Sequence, residues 1–277
     1  MYSLVSFDVC ERWRDRRDTY RPAGEPINTS HYEMARLDDD KASKAFVVKH
    51  HYSGTYPAAR FRFGLYRSTT HPLYDSEDTL VGVAVFSVPM RNEVLTNVFG
   101  GNAEESVELG RFVLLDNVEA NGESWFLGYC RKYLKKIGLR GVVSFCDPEP
   151  KRDADGLMVF PGHIGTIYQA SNAAFLGCST ARVLRLLPDG RVFSDRARSK
   201  IRKRRNGWRY AVAQLEAAGA VKTSDPDDEW LKEAIAQVTR PLRHSGNLRY
   251  GFVLNGKPLV GLPYPKRRID GEDGEDN

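Results

Sequence analysis

No pair of cysteines at CxxC spacing occurs in this chain of 277 residues. Its four cysteines, Cys10, Cys130, Cys146 and Cys178, are scattered. That excludes a zinc ribbon or a disulfide framework and points to a reducing cytoplasm. Cys130 and Cys146 sit in apolar runs and are expected in the core. A bilayer-spanning helix needs a run of roughly 18 apolar residues, and the chain has none, so no membrane partner is expected. The opening MYSLVSFDVCERWRDRR carries its charges after its short apolar run, unlike a signal peptide. Internal repeats are absent. One further absence is local: no acid stands between Arg196 and Arg209.

What is present is ordinary globular composition, 41% apolar and 28% charged, with length enough for a sizeable core. The net charge of +5 is modest, and its distribution says more than its sum. The acid-free stretch holds eight basic residues: Arg196, Arg198, Lys200, Arg202, Lys203, Arg204, Arg205 and Arg209. Trp208 and Tyr210 are interleaved. Such density repels itself, and phosphates relieve it. Nucleic acid is therefore the expected partner. A solvated helix face is the plainer reading, but such faces normally alternate sign.

Residues 1–30 show no period and read as a loose N-terminal arm. His31–Leu37 alternates as a strand. A helix follows, capped by Asp38–Asp40, with Ala42, Ala45, Phe46 and Val47 or Val48 on one face. Strands are expected at Arg60–Tyr66, Thr79–Val88 and Val107–Leu115, the second buried on both faces. A helix starts at Ser124 and stops at Gly138, behind Arg131, Lys132, Lys135 and Lys136. Gly141–Cys146 is a buried strand. Another strand covers Ala181–Leu187, with a turn at Pro188-Asp-Gly190 into a hairpin with Arg191–Phe193. Helices at 195–218 and 227–238, a strand at Leu248–Leu254 and a hairpin turn at Asn255-Gly256 complete the pattern. The whole is a mixed α/β (α+β) sheet core over residues 31–193. A basic helical extension with a closing hairpin covers 194–269, and a disordered acidic tail covers 270–277.

The stretch SFCDPEPKRDADGLMVFPGHIGTIYQASNAAFLG organises the rest. A buried strand ends in Asp147-Pro148, and Gly165 opens a helical pattern through Ile167, Tyr168, Ala170, Ala174 and Phe175. Ligands of open α/β sheets sit at carboxyl ends of strands. Asp147 is thus either a turn cap or a site residue, with His163 and Tyr168 brought near it. His, Tyr and Asp suit iron or a proton relay. His51-Tyr52-Ser53-Gly54 offers a proton carrier and two hydroxyls, or simply ends a helix. In Glu108-Leu-Gly-Arg111, alternation puts Glu108 and Gly110 on one face and Leu109 and Arg111 on the other. Charges within such a strand are costly unless paired or functional.

These motifs, with Glu123-Ser124-Trp125, GHIGTIYQA and Tyr264-Pro265-Lys266-Arg267, resemble the phage Mom family of adenine methylcarbamoylation proteins. The likeness spans most of residues 32–187 and a short C-terminal piece. It implies a GNAT-like acyltransferase fold. It also implies conversion of adenine in DNA to its N6-carbamoylmethyl form in the host cytoplasm, which shields phage DNA from restriction. His51, Tyr52 and Asp147 match the implied reaction centre and are the ligands the resemblance implies for iron, with Ser53, Glu108, Arg111, His163 and Tyr168 as further site residues. A small-molecule group donor is implied, acetyl-CoA by the fold, with Asn121, Gly122, Ser124 and Asn172 as the expected donor-binding positions. The loop Asp116–Ser124 departs from the acetyltransferase pattern. It has one glycine, no Arg or Gln at the usual place, and two acids where phosphates would sit. Acids there repel pyrophosphate. Amino-acid transfer onto hypermodified pyrimidines, or DNA binding without chemistry, are the alternative functions.

Overall fold

The structure, a computed structural model, describes residues 9–14, 17–22, 24–71 and 74–266. In chain order the elements are β1 (Val9–Arg14), β2 (Arg17–Pro22), β3 (Tyr32–Arg36), α1 (Lys41–His50), β4 (Ala59–His71), β5 (Tyr74–Ser87), α2 (Glu93–Phe99) and β6 (Ser106–Leu114). They continue with α3 (Gly122–Lys136), β7 (Gly141–Cys146), β8 (Lys151–Arg152), β9 (Met158–Phe160), α4 (Thr166–Ala170), β10 (Ala174–Cys178) and β11 (Arg182–Leu186). The last are α5 (Asp195–Arg202), α6 (Trp208–Ala217), α7 (Asp228–Val238), β12 (Arg240–His244) and β13 (Leu248–Val253). The acidic tail from Asp270 and Arg267 lie outside the described residues.

The chain divides into two compact units. The first holds residues 1–146, 164–177 and 248–277, and the second holds 147–163 and 178–247.

The first unit is built on a sheet of seven strands in the order β10-β13-β7-β6-β5-β4-β3. Strands β3 to β6 form an antiparallel meander. The β6–β7 pair is parallel, joined by α3 as the crossover such a pair requires. β13 returns antiparallel to β7, Leu248 facing Cys146. The strand read as part of a C-terminal extension is therefore a member of the core sheet. No described strand follows it as a hairpin partner, and Asn255 instead donates to the carbonyls of Lys135 (3.1 Å) and Leu139 (2.8 Å) below α3.

β5 is covered on both faces, as its continuous apolar run predicts. Ala84 and Phe86 join the main core with Phe126, Leu127, Cys130 and Leu134 of α3. Val83 and Val85 meet Phe46 and Val47 of α1 on the other side. Each such side chain contributes about 2 kcal/mol by leaving water. α1 buries Ser43, Phe46 and Val47, while Ala42, Ala45 and Val48 are exposed. The sequence-predicted face was rotated because Ser43 goes inward, its hydroxyl 2.7 Å from that of Tyr56.

Two other expectations change in the first unit. The arm contains a hairpin, β1 on β2, with Arg14 opposite Arg17. The helical pattern after Gly165 stops at Ala170, and Ala174 and Phe175 belong to β10. Asn172 at φ 60° is left-handed and ends the helix there. Cys130 and Cys146 are buried as expected.

The second unit packs α5, α6 and α7 around Phe193, Ile201, Val212, Leu215, Leu231 and Ile235. The helix expected over 195–218 is broken between Arg202 and Trp208, where Arg204 (φ 46°) and Gly207 (φ 82°) turn the chain. β11 pairs with β12, so the expected hairpin after Gly190 is reduced to one bridge, Leu186 to Val192. β8 and β9 form a small ribbon.

Candidate active site

In the first unit the parallel ladder ends at Leu109 opposite Ser144. β6 runs on to Leu114, and the last residues of β7 pair only with β13. The sheet therefore parts just past Glu108. At the same place β6 carries a bulge: Leu109 faces Phe86 and Arg111 faces Val85, leaving Gly110 as the extra residue. A side chain at Gly110 would lie 2.3 Å from Ser87 Oγ, so the close strand approach needs glycine. The bulge breaks the alternation. Leu109 and Phe112 pack in the main core, and Glu108 and Arg111 come to share the opposite face. This corrects the face assignment that simple alternation predicts.

Glu108 is partly buried, and no described group forms a hydrogen bond or ion pair with it. Burial raises its carboxyl above the ordinary value, and the nearby Arg111 cation only partly offsets this. Burial likewise pulls the Arg111 guanidinium below its usual value, with Tyr52, Glu108 and Tyr168 close enough to oppose the shift. Arg111 donates to the Thr55 carbonyl (2.8 Å) and to Thr55 Oγ1 (2.7 Å). It thereby fastens β6 to the turn that follows α1.

That turn is His51-Tyr52-Ser53-Gly54. His51 is the C-cap of α1, its amide reaching the Val47 carbonyl, so the plain helix-end reading holds for its backbone. Its ring does more. His51 Nδ1 accepts from the Ser53 amide at 3.1 Å and lies 2.9 Å from Ser53 Oγ. With Nδ1 an acceptor, the ring proton belongs on Nε2. Thr55 Oγ1 reaches Ser53 Oγ at 3.4 Å, which links Arg111, Thr55, Ser53 and His51 in one chain of donors. Tyr52 lies against the His51 ring (4.2 Å between centroids) and is 47% exposed.

Tyr168 is buried, packed on Tyr250 (5.4 Å) and Phe252 (6.3 Å). At 7% exposure its ring offers no face on which a base could stack. Its hydroxyl is held protonated, first by burial and then by Cys146, Tyr52 and Glu108 nearby.

In the second unit Asp147 is the hub. Its Oδ2 is paired with the nearly buried Lys151, and Oδ1 lies 2.8 Å from His244 Nε2. Its Oδ1 also accepts from the Glu149 amide at 3.0 Å, an Asx turn. Burial alone would raise the Asp147 carboxyl, but Lys151 and His244 outweigh it, so the group lies below the ordinary value. The His244 ring is wholly buried, and its Nδ1 accepts from the Gly246 amide at 3.0 Å. Nε2–H therefore donates to Asp147. Lys151 also sits over the Phe160 ring at 4.4 Å. Neither His244 nor Lys151 was singled out from the sequence. His244 is 97 positions from Asp147, and only the β11–β12 pairing places it. His163 joins this unit through its amide, 2.8 Å from the Asp147 carbonyl, and its ring meets Phe160 edge-on. Gly162 (φ 76°) makes that approach possible, since a Cβ there would lie 2.3 Å from the Pro148 carbonyl oxygen.

The metal set implied by the resemblance divides between the units, His51 and Tyr52 in the first and Asp147 in the second. Among the described residues no three His, Cys, Asp or Glu gather as a metal site. Asp147 is already neutralised by an ammonium, and His51 commits Nδ1 to Ser53. The donors within each unit do not fit iron.

Of the basic run, Arg198 pairs with Asp195 (3.4 Å), Arg202 with Asp228 (3.0 Å), and Arg204 with Asp225. The stretch is acid-free in sequence but not in space, because Asp225 before α7 and Asp228 at its start are brought to it. Lys203, Arg205 and Arg209 are exposed and have no ion pair among the described residues, and Arg209 lies 5.1 Å from the Trp208 ring. Tyr210 is 69% exposed beside them.

Of the donor positions expected around α3, Gly122 is buried, Asn121 is exposed and makes no side-chain cap, and the half-buried Ser124 donates its hydroxyl proton to the Asn121 carbonyl at 3.1 Å. Asn172 is exposed at the end of α4.

A meander of antiparallel strands and a parallel pair joined by a helix, with a polar cluster where that pair parts, make a GNAT-like mixed α/β core. The chain matches the Mom protein family over residues 31–255 and belongs to it. That membership and this core support a transferase that modifies phage DNA. Among solved structures, an N-acetyltransferase from Staphylococcus aureus Mu50 is 11% identical, at a TM-score of 0.34, covering 80% of this chain and 97% of that one. A tandem GNAT protein from the clavulanic acid biosynthesis pathway, without AcCoA, is also 11% identical, at 0.35 over 57% of this chain and 48% of that one. No curated protein sequence matches. No helix among the described residues is long and apolar enough to cross a membrane.

Proposed function

We propose that this protein transfers a group from a small-molecule donor to the exocyclic amine of a base in double-stranded DNA. By its family the base is adenine, the product N6-carbamoylmethyladenine and the benefit protection of phage DNA from restriction in the host cytoplasm. The observation that carries the chemistry is Glu108: a carboxyl raised by burial, without a hydrogen-bond partner among the described residues, two positions before the bulge at Gly110 where the sheet parts. A base amine is a poor nucleophile until a proton can leave it, and a carboxylate of raised pKa is a suitable acceptor. As the amine nitrogen bonds to the donor carbon, Glu108 takes the amine proton and the leaving group departs with the bond electrons. Asp147 is less suited to this step, because Lys151 and His244 favour its anion and weaken it as a base. His51 offers Nε2–H as a donor rather than a free acceptor. The exposed ring of Tyr52 provides a face for an extruded base, and extrusion costs a few kcal/mol of unstacking. Lys203, Arg205 and Arg209 supply phosphate contacts in the second unit.

Digesting DNA from cells that express the protein to nucleosides, followed by mass spectrometry, tests this. A new mass on deoxyadenosine supports it, and an unmodified adenine pool beside folded wild-type protein sinks it. A mass on thymine-derived nucleosides would assign amino-acid transfer to pyrimidines instead. A mobility shift with no altered nucleoside under any donor would leave a DNA-binding protein without chemistry.

A further inference from the structure

Helix α3, 15 residues long, starts directly behind the segment Asp116–Ala120 that leads from β6, and its Gly122 amide is bonded to the Glu119 carbonyl at 2.9 Å. Such helix starts attract anions, because their N–H groups lack partners and the helix dipole is positive there. In a GNAT-like fold this segment is where the pyrophosphate of acetyl-CoA would rest.

Here the chain's own N-terminal residues fill it. The Ala120 amide donates to Glu25 Oε2 at 3.1 Å. Glu25 in turn is held by Arg21, Nε to Oε2 at 2.6 Å, and Arg21 also donates to the Asp116 carbonyl at 2.9 Å. Arg12 of β1 donates to the carbonyls of Leu115 (2.8 Å), Val118 (2.7 Å) and Glu119 (3.2 Å) and pairs with Glu123 at 2.6 Å. Thr19 of β2 donates to Asp116 Oδ1 at 3.0 Å. The one glycine at this helix start, Gly122, does not face a ligand. A Cβ there would lie 2.5 Å from Val118 Cγ1. The Glu25 carboxyl is held down at about 2, chiefly by its hydrogen bond from Arg21.

A carboxylate on a loop amide, braced by a guanidinium, satisfies what a phosphate would satisfy. Arg12 and Arg67 beside it are likewise taken up by Glu123 (2.6 Å) and Glu119 (3.8 Å), so the cations at the segment already have carboxylate partners. Acetyl-CoA does not fit this segment.

We infer that the N-terminal hairpin with Glu25 is a built-in occupant of the α3 cradle, and that the group donor is a molecule without a pyrophosphate handle. The occupancy stands on contacts within the first unit alone; the statement about the donor rests also on the transferase reading.

Two measurements on the full chain test it, and neither depends on DNA. In the first, acetyl-CoA and inorganic pyrophosphate are titrated separately to millimolar concentration by calorimetry. No saturable heat is expected from either, and saturable binding of acetyl-CoA overturns the inference. The second is amide hydrogen exchange over residues 116–124. The Ala120 amide is expected to be protected without ligand and in Glu25→Gln, which keeps an oxygen facing it. In Glu25→Ala it should exchange about tenfold faster, as a locally opened amide does. Equal exchange in all three proteins overturns the occupancy. A failed nucleoside digest with these results intact would count against the proposed reaction and leave the closed cradle standing.

Discussion

Glu108 and Arg111 stand three positions apart on β6 and share one face, because Gly110 takes up an extra position between them. The pair is unequal. Arg111 spends its donors on Thr55 and on the Gly110 carbonyl, and among the described residues Glu108 has no hydrogen-bond partner. An arginine near a carboxylate would ordinarily lower it, yet burial outweighs that attraction and the carboxyl is raised.

Glu108→Gln should therefore lower kcat by about 10²–10⁴-fold, the usual worth of a positioned base. The sign of the pH dependence follows from the raised pKa. Glu108 is neutral at low pH and gains base strength only as pH rises through a value above 4.5, so the acid limb of kcat should sit there. The variant should lose that limb. Its melting temperature should not fall, since a buried carboxylate is harder to keep in the fold than an amide. Rate–pH profiles and thermal melts check this, and an unchanged limb would contradict the assignment.

Arg111→Lys is not expected to be conservative. A lysine carries one ammonium where two donors of a planar fork hold Thr55, so the turn bearing His51 and Tyr52 loosens. A misplacement of this kind costs about 10²-fold in rate. Steady-state kinetics should show the loss with near-normal DNA affinity in a mobility shift.

Asp147→Asn removes the charge that compensates the buried Lys151 and should cost about 3 kcal/mol. Adding Lys151→Met should recover part of it, because the orphaned ammonium goes too. Urea unfolding of the two single variants and the double variant measures the coupling. The wild-type contribution of Asp147 has a depressed pKa, so it is full above 3.8 and is lost as pH falls through its lower folded value.

Replacing Lys203, Arg205 and Arg209 with alanine should reduce the salt slope of DNA binding by about 2–3, at about 0.9 per phosphate contact. Arg202→Ala and Arg204→Ala should change it less, since their partners Asp228 and Asp225 already screen them. Binding isotherms across salt concentration decide between these arms, and equal slopes for all variants would remove this surface as the interface.

What the sequence determined by itself was set by short-range chemistry. The apolar run of β5, the charged last turn and glycine stop of α3, and the strand before Asp147 all depend on residues close together in the chain, and each forms where its pattern places it. The family likeness was legible for the same reason, in contiguous motifs. Only the tertiary structure decided what depends on register and on distant partners. It turned Arg111 onto the face of Glu108 through a bulge that alternation cannot reveal. It brought His244 to Asp147 across 97 positions and so made Asp147 a fixed anion rather than a free base. It set Asp225 and Asp228 against a run with no acid of its own. It also ordered part of an arm without any period, because Arg12 and Glu25 find their partners in the loop before α3 and not in neighbouring residues.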